Sequence, residues 1–309
     1  MIHSFEELQK KADETGLKIS DIAIIEQIAD SHHTKEDMLK KMMPTLDCML
    51  ESVENGCKKD VKSKSGLTGG EAFLMQEYIN SGKAISGSLI SNAIKMALAV
   101  AGTNAAMGKI VAAPTAGSCG ILPAALVAMM QERGVDKEQA NKVLFNAGLV
   151  GLIIASNASI SGAEGGCQAE CGTASAMAAS SIVELAGGTV EMSIHAVAIS
   201  IKCILGLVCD PVAGLVEVPC VKRNASGVTL AFTAAEMALA GIKSIIPADE
   251  VINTMKKIGD NLPASLRETA EAGLADTPTA RNLEHNVFES LSSAGLRHAC
   301  SACNGCRGS

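Results

Sequence analysis

The sequence is poor in aromatic residues: among 309 residues there is no Trp, one Tyr and five Phe. Hydrophobic residues still make up 48% of the chain, which excludes a disordered protein and is enough for a large core. That core must consist mainly of Ala, Leu, Ile, Val and Met, with many of the 29 glycines between them. Because the distance between helices depends on the side chains in contact, residues this small predict closely packed helices.

The chain also lacks an excess of positive charge and a long apolar run. It carries 26 Lys and Arg against 33 Asp and Glu, and a net charge of −7 argues against a nucleic-acid surface. The apolar stretches 149–155 and 196–208 are short or interrupted by Lys202, so we interpret them as buried helices and expect no membrane span. The charged N-terminal residues show no secretory signal, and we expect a cytoplasmic protein.

No nucleotide-binding motif is evident, neither a dinucleotide fingerprint nor a P-loop, and strand and helix periods do not alternate. The pattern predicts a mainly α, multi-helix globular catalytic domain over 61–295. A helical appendage is expected over 1–60 and a cysteine-rich tail over 296–309. The predicted helices span 89–101, 121–133, 137–158, 173–186, 193–207, 227–243, 248–258 and 278–292.

Cysteine is abundant, with eleven residues. In a chain without an export signal, so many thiols favour metal binding or catalysis over disulfides. Three of them lie beside chain-breaking residues: Cys167 follows two glycines, Cys209 precedes Asp-Pro, and Cys220 follows a proline. We therefore expect these three thiols on loops at helix ends, where the backbone can surround a metal, and our hypothesis is an iron–sulfur cluster.

The spacing of these cysteines is wide. Cys209 lies 42 positions after Cys167, and Cys220 lies 11 positions after Cys209, unlike the closely spaced thiolates of an electron-transfer ferredoxin. Three widely spaced ligands suggest a 4Fe–4S cluster used as a Lewis acid, with one iron left open for a substrate oxygen.

Two polar, glycine-rich loops precede helices. We call residues 62–72, KSKSGLTGGEA, loop A. Residues 108–126, GKIVAAPTAGSCGILPAAL, contain the turn that we call loop B. Backbone N–H groups in such loops can bind a carboxylate. A plain role as tight helix connections is an equally good interpretation of each loop.

Several longer motifs occur in order. They are SGLTGGEA, GKIVAAPTAGSCGILPA, GCQAECGTASAMAA, CDPVAGLVEVPCVKRN and PASLRETAEAGLADTPTA. Together they resemble the alpha chain of iron–sulfur-dependent L-serine dehydratase, also called L-serine ammonia-lyase, from about Val61 to Thr279. The first sixty residues resemble the family only loosely.

The resemblance implies that Cys167, Cys209 and Cys220 bind a 4Fe–4S cluster in a mainly helical catalytic part. The implied substrate is L-serine, which is converted to pyruvate and ammonia. Its hydroxyl would bind the open iron while a base removes the Cα proton. The family also has a separate beta chain as partner, and that part is absent from this sequence.

The implied substrate carboxylate needs hydrogen-bond donors. The candidates are Ser65 and Thr68 in loop A and Thr115 and Ser118 in loop B. Lys109 either helps to neutralise the carboxylate or is a solvated lysine at a helix end.

Other polar groups keep more than one interpretation. Cys119 and Cys171 line the site or simply pack, and packing is favoured. His195 is a hydrogen-bonded core residue in preference to a base. Glu164 and Glu170 flank Cys167, and either one orients a ligand, acts as the base or caps a helix.

The tail HACSACNGCRGS carries Cys300, Cys303 and Cys306. It binds a separate metal, is a disordered redox liability, or brings one thiolate to the open iron until serine displaces it. The third interpretation is favoured, with Cys303 or Cys306 as the thiol. Three other functions stay open: a lyase that eliminates sulfide from L-cysteine, a non-enzymatic redox sensor, and a structural zinc protein.

Overall fold

A computed structural model describes residues 2–29 and 33–293, with side chains to residue 289. In these ranges the chain forms α-helices and short 3-10 turns, with two isolated bridges and no β-strand, so the predicted mainly α fold is confirmed. The helices are α1 Phe5–Thr15, α2 Ile19–Ala29, α3 Lys35–Gly56, α4 Glu71–Asn80, α5 Gly87–Ala105, α6 Ile121–Arg133, α7 Lys137–Asn157, α8 Gly162–Gly165, α9 Cys167–Leu185, α10 Val190–Lys202, α11 Cys220–Leu239, α12 Ala248–Asn261 and α13 Pro278–Ser293.

Helix α9 is the centre of the fold. It packs against α6, α7, α10, α11 and α12. Every residue except Glu170 and Leu185 is buried, as expected for a helix whose residues are small or apolar on all sides. Two of its buried hydroxyls connect it to neighbouring helices: Ser175 donates to the Gly227 carbonyl, and Ser180 donates to the Asn146 side chain at 2.6 Å. The buried Thr173 hydroxyl has no hydrogen-bond partner among the described residues.

The first three helices join the same hydrophobic core. Helix α2 packs on α7, α3 packs on α5, and α1 contacts α10 and α12. The Asp249 carboxylate at the start of α12 accepts the backbone N–H groups of Phe5 and Glu6, which ties the start of α1 to the body of the protein. The domain boundary near residue 60 stays a prediction.

Some of the predicted helix boundaries match the structure closely, whereas α5 ends at Ala105 instead of residue 101 and α11 ends at Leu239 instead of residue 243. Helix α6 spans the predicted residues, α7 ends within one residue of the prediction, and α13 begins at Pro278 as expected. Within the described ranges, no helix has both the length and the apolar character needed to cross a bilayer.

Three boundaries near cysteines are wrong. Helices α9 and α11 begin at Cys167 and Cys220, six and seven residues earlier than predicted, because burial of their first turns outweighs the weak helix preference of the local sequence. Helix α10 ends at Lys202 instead of residue 207, and Gly206 follows with φ 86°. Cys203 is therefore exposed at the end of the helix and does not lie on an apolar helix face.

Close helix packing can be tested at Gly56, where α3 meets α5. A Cβ at this position would lie 1.9 Å from the Ala99 carbonyl oxygen. We expect Gly56→Ala to lower the free energy of unfolding by about 1–3 kcal/mol through overpacking, measured by urea denaturation.

Gly148 provides the matched control, because it is exposed on α7 and an added Cβ meets nothing within 4 Å. Gly148→Ala is expected to raise the free energy of unfolding by about 0.5–1 kcal/mol. Equal effects of the two substitutions would contradict the close contact between α3 and α5.

Candidate metal centre

The three predicted ligands are buried, and two of them begin neighbouring helices. Cys167 is the first residue of α9 and Cys220 is the first residue of α11, and these two helices pack side by side. Cys209 lies in the segment that connects α10 to α11. The prediction is of loops at helix ends. Cys167 and Cys220 lie at helix ends but are themselves helical, whereas Cys209 lies outside the helices, in the connecting segment.

The backbone before Cys167 requires glycine. Gly166 has φ 76° and ψ 177°, a conformation that L side chains rarely adopt. A Cβ there would lie 2.7 Å from Leu262 Cδ1 and 2.9 Å from the Leu207 carbonyl oxygen. The chain can therefore enter α9 against this segment only because the residue has no side chain.

Cys209 is held through its backbone. Its N–H donates to the Leu266 carbonyl at 2.9 Å, and its carbonyl accepts the Glu268 N–H at 2.8 Å. Its thiol lies against Gly162 of α8, where a Cβ would be 2.8 Å from Cys209 Sγ. Residues far along the chain on both sides thus fix the position of this sulfur.

Arg223 connects the segment of Cys209 to helix α11. Its guanidinium donates to the Val208 carbonyl at 2.9 Å and forms an ion pair with Asp210 at 2.8 Å. The other oxygen of the Asp210 carboxylate accepts the Leu274 N–H at 2.8 Å. Since Arg223 lies one turn after Cys220, this single side chain sets the distance between two candidate ligands.

The thiols influence one another electrostatically. Cys167 Sγ lies 3.3 Å from Cys171 Sγ, and the hydrogen bond between these two thiols lowers the pKa of Cys167. The charge of Arg223 lowers the pKa of Cys167 further. Burial raises the pKa of Cys220 to about 12, and the negative charges of Cys167 and Glu170 add to this effect. Burial likewise raises the pKa of Cys209, with further contributions from Cys167 and Cys220.

These thiols fit an iron–sulfur cluster. Buried thiols that disfavour one another's ionisation need a bound positive charge to become thiolates, and metal ions supply it. The described His, Cys, Asp and Glu side chains form no group of three that would hold a single metal ion. A cluster does not need such a group, because each thiolate binds a different iron.

The hydroxyls of loop A bind a buried carboxylate. Ser65 Oγ donates to Glu217 Oε2 at 2.7 Å and Thr68 Oγ1 donates to the same oxygen at 3.2 Å. Glu217 lies three residues before Cys220. Because each hydroxyl has one hydrogen, neither is free in this arrangement to donate to a substrate, and their substrate-binding role stays a prediction.

Loop B is also bound to a carboxylate, that of Glu170 in helix α9. Thr115 Oγ1 donates to Glu170 Oε1 and lies 3.1 Å from Ser118 Oγ. Asn224 of α11 anchors the loop, because its amide donates to the Gly117 carbonyl at 2.7 Å and its oxygen accepts the Gly120 N–H at 2.8 Å. Loop B is therefore attached to both helices that begin with candidate ligands, and loop A is attached to the turn directly before α11.

The remaining candidates are placed as follows. Cys119 and Cys171 are buried, and Cys171 packs beside Cys167. Lys109 is exposed, and its role in neutralising a carboxylate stays a prediction. His195 contacts the Ser244 N–H and Glu191. Cys303 and Cys306 lie outside the described residues.

Four polar residues of the site were missed by the sequence interpretation. For two of them a signal existed: Arg223 and Asn224 follow Cys220 by three and four positions, which places them on the same helix face. Asp210 and Glu217 offered no such signal, because their partners are distant in sequence.

Comparison with known proteins gives consistent matches. The profile of the family described as serine dehydratase alpha chain matches residues 14–275. The chain is 52% identical to the probable L-serine dehydratase, alpha chain, of Bacillus subtilis, over 93% of this chain and 96% of that protein. It is 44% identical to the L-serine dehydratase, alpha chain, of Peptoniphilus asaccharolyticus, over 94% and 99%.

A longer relative matches only in part. The chain is 37% identical to L-serine dehydratase 2 of Escherichia coli over 87% of its own length, but this covers 60% of the relative.

The ion pair of Arg223 and Asp210 can be tested through stability. Their side chains are 16% and 4% exposed, so Arg223→Met leaves a buried carboxylate without its cation. We expect the free energy of unfolding to fall by about 3–5 kcal/mol, measured by urea denaturation of the metal-free protein.

The neighbouring Lys222 is the control. It pairs with Glu71 on the surface, where its side chain is 59% exposed, and Lys222→Met should cost at most about 1 kcal/mol. If both variants lost the same stability, the ion pair would not be what holds the Cys209 segment to α11.

Proposed function

The chain belongs to the serine dehydratase alpha-chain family, and from this premise we propose that it catalyses the conversion of L-serine to pyruvate and ammonia with a 4Fe–4S cluster on Cys167, Cys209 and Cys220. The observation that supports the proposal is the burial of three thiols, two at the starts of the neighbouring helices α9 and α11 and one in the segment that leads into α11. These three are not ordinary surface cysteines, because all of them are buried.

The bound cluster would supply an iron that polarises the substrate hydroxyl as a Lewis acid. The protein groups have three other tasks: they orient the amino acid, remove its Cα proton and limit the access of water. Loops A and B are the candidates for orientation, and their backbone N–H groups are the donors for the substrate carboxylate. Loss of water from serine leaves an aminoacrylate, which hydrolyses to pyruvate and ammonia.

We also propose that the active enzyme contains a second chain. The relative named L-serine dehydratase 2, which bears no chain designation, extends well beyond the region that this chain matches. The names of the two most extensively matched relatives above designate alpha chains. A beta chain would supply the part that the longer relative carries within one polypeptide.

The ligand assignment predicts the behaviour of cysteine variants. Cys167→Ser, Cys209→Ser and Cys220→Ser should each lose the visible iron–sulfur absorbance after anaerobic reconstitution, together with pyruvate formation from L-serine. Cys203→Ser should retain both, because this thiol is exposed at the end of α10.

Full absorbance and turnover in Cys209→Ser would refute the assignment.

L-Serine is expected to perturb the spectrum of the loaded protein, whereas a reversible redox change without such a perturbation would support a redox sensor. Preferential turnover of L-cysteine would support sulfide elimination, and reconstitution with zinc but without visible absorbance would support a structural zinc site.

The second chain can be tested independently. We expect the isolated chain to take up the cluster but to form pyruvate slowly, and a co-expressed beta chain to raise kcat by at least about tenfold. Pyruvate production at the same rate with and without the beta chain would show that this chain is complete by itself.

A further inference from the structure

Glu170 has a special position in helix α9. It lies one turn after Cys167 and is half-buried in a helix that is otherwise enclosed almost completely. Its negative charge acts on the pKa of five thiols, those of Cys119, Cys167, Cys171, Cys209 and Cys220. The carboxylate therefore lies among the candidate ligands without being one of them.

The carboxylate is held by loop B. Thr115 donates its hydroxyl hydrogen to Oε1, while Oε2 accepts no hydrogen bond from any group in residues 2–29 or 33–293. Gly117 lies directly against it, and a Cβ there would be 2.6 Å from Oε1 and 2.9 Å from Oε2. One oxygen is thus bound by loop B, and the other has no hydrogen-bond donor among the described residues.

We propose that Glu170 is the general base of the lyase reaction, an inference that rests on the proposed function. Its carboxylate takes the Cα proton of L-serine, and the C–H electron pair forms the Cα=Cβ double bond as the Cβ–O bond breaks. The oxygen leaves with that bond's electron pair as hydroxide. Protonated Glu170 then returns the proton to this hydroxide, which gives water and restores the carboxylate, so the step needs no other reactant.

The surroundings of Glu170 favour this chemistry. Burial raises its pKa, the hydrogen bond from Thr115 lowers it, the charge of Glu268 raises it and that of Arg223 lowers it, with a net increase. A carboxylate with a raised pKa is a stronger base. Since only the ionised form accepts a proton, kcat/KM should fall as the pH drops below this raised pKa. The titratable and charged groups around it are Cys119, Cys167, Cys171, Cys209, Cys220, Arg223 and Glu268.

The other nearby carboxylates are less suitable. Glu164 lies three residues before Cys167 and is exposed on α8, and Glu268 is exposed as well. Glu217 is buried and already accepts two hydroxyl hydrogen bonds on Oε2. Of the two carboxylates that flank Cys167, burial and the contact with Thr115 favour Glu170 as the base.

The test is Glu170→Gln in the cluster-loaded enzyme, with the beta chain added where the wild type needs it. Gln keeps the size of the side chain and an oxygen for Thr115 but cannot take the proton. We expect kcat for L-serine to fall about 10²–10⁴-fold, the usual contribution of a general base. The cluster absorbance and the serine-induced spectral change should persist, with the serine dissociation constant within about threefold of wild type.

A second measurement does not depend on turnover. The infrared band of a protonated carboxyl group, followed against pH in the metal-free protein, should include a component that titrates above the normal Glu range and is missing in Glu170→Gln. Glu164→Gln is the matched control and should retain both this component and the wild-type kcat.

The outcomes separate the two proposals. Unchanged kcat in Glu170→Gln, or loss of the cluster absorbance in this variant, would overturn the role of Glu170. Glu170→Asp, which retains a carboxylate, should be more active than Glu170→Gln, and equal activity would also overturn it. A loaded wild type that does not act on L-serine would instead overturn the proposed function.

Discussion

The enclosure of helix α9 is the constraint on which the candidate site depends. A helix can be surrounded by five others only if its own side chains are small, and the sequence from Cys167 to Leu185 meets this condition with Ala, Gly, Ser and Cys. Burial of the first turn brings Cys167 and Glu170 into an environment with little water. There, ionisation of one group strongly affects the others, which makes the start of α9 suitable for binding a positively charged group.

Two carboxylates connect the surface loops to this interior. Glu217 holds Ser65 and Thr68 of loop A, and Glu170 holds Thr115 of loop B. Hydrogen bonds to charged groups typically contribute about 1.5–3 kcal/mol each, so the loops are fixed more firmly than their glycine content suggests. Their conformation is therefore coupled to the charge state of the groups around the candidate ligands.

The sequence predicts the helical class and several helix boundaries, because glycine, proline and hydrophobic periodicity act locally. That Cys167, Cys209 and Cys220 are ligands stays a prediction. The sequence does not predict that α9 and α11 begin directly at Cys167 and Cys220, since tertiary burial decides those boundaries. Arg223 follows from helical spacing once the start of α11 is known. Glu217 does not, because its role depends on contact with Ser65, which is 152 positions away.

The backbone hydrogen bonds that hold Cys209 have a consequence for biosynthesis. Its backbone partners, Leu266 and Glu268, and the Leu274 amide that binds Asp210 lie more than fifty residues further along the chain. While a ribosome is still translating the region before residue 266, Cys209 has neither its hydrogen bond to Leu266 nor its hydrogen bond from Glu268. A nascent polypeptide therefore cannot complete the arrangement of the three thiols until α12 and the segment after it have emerged.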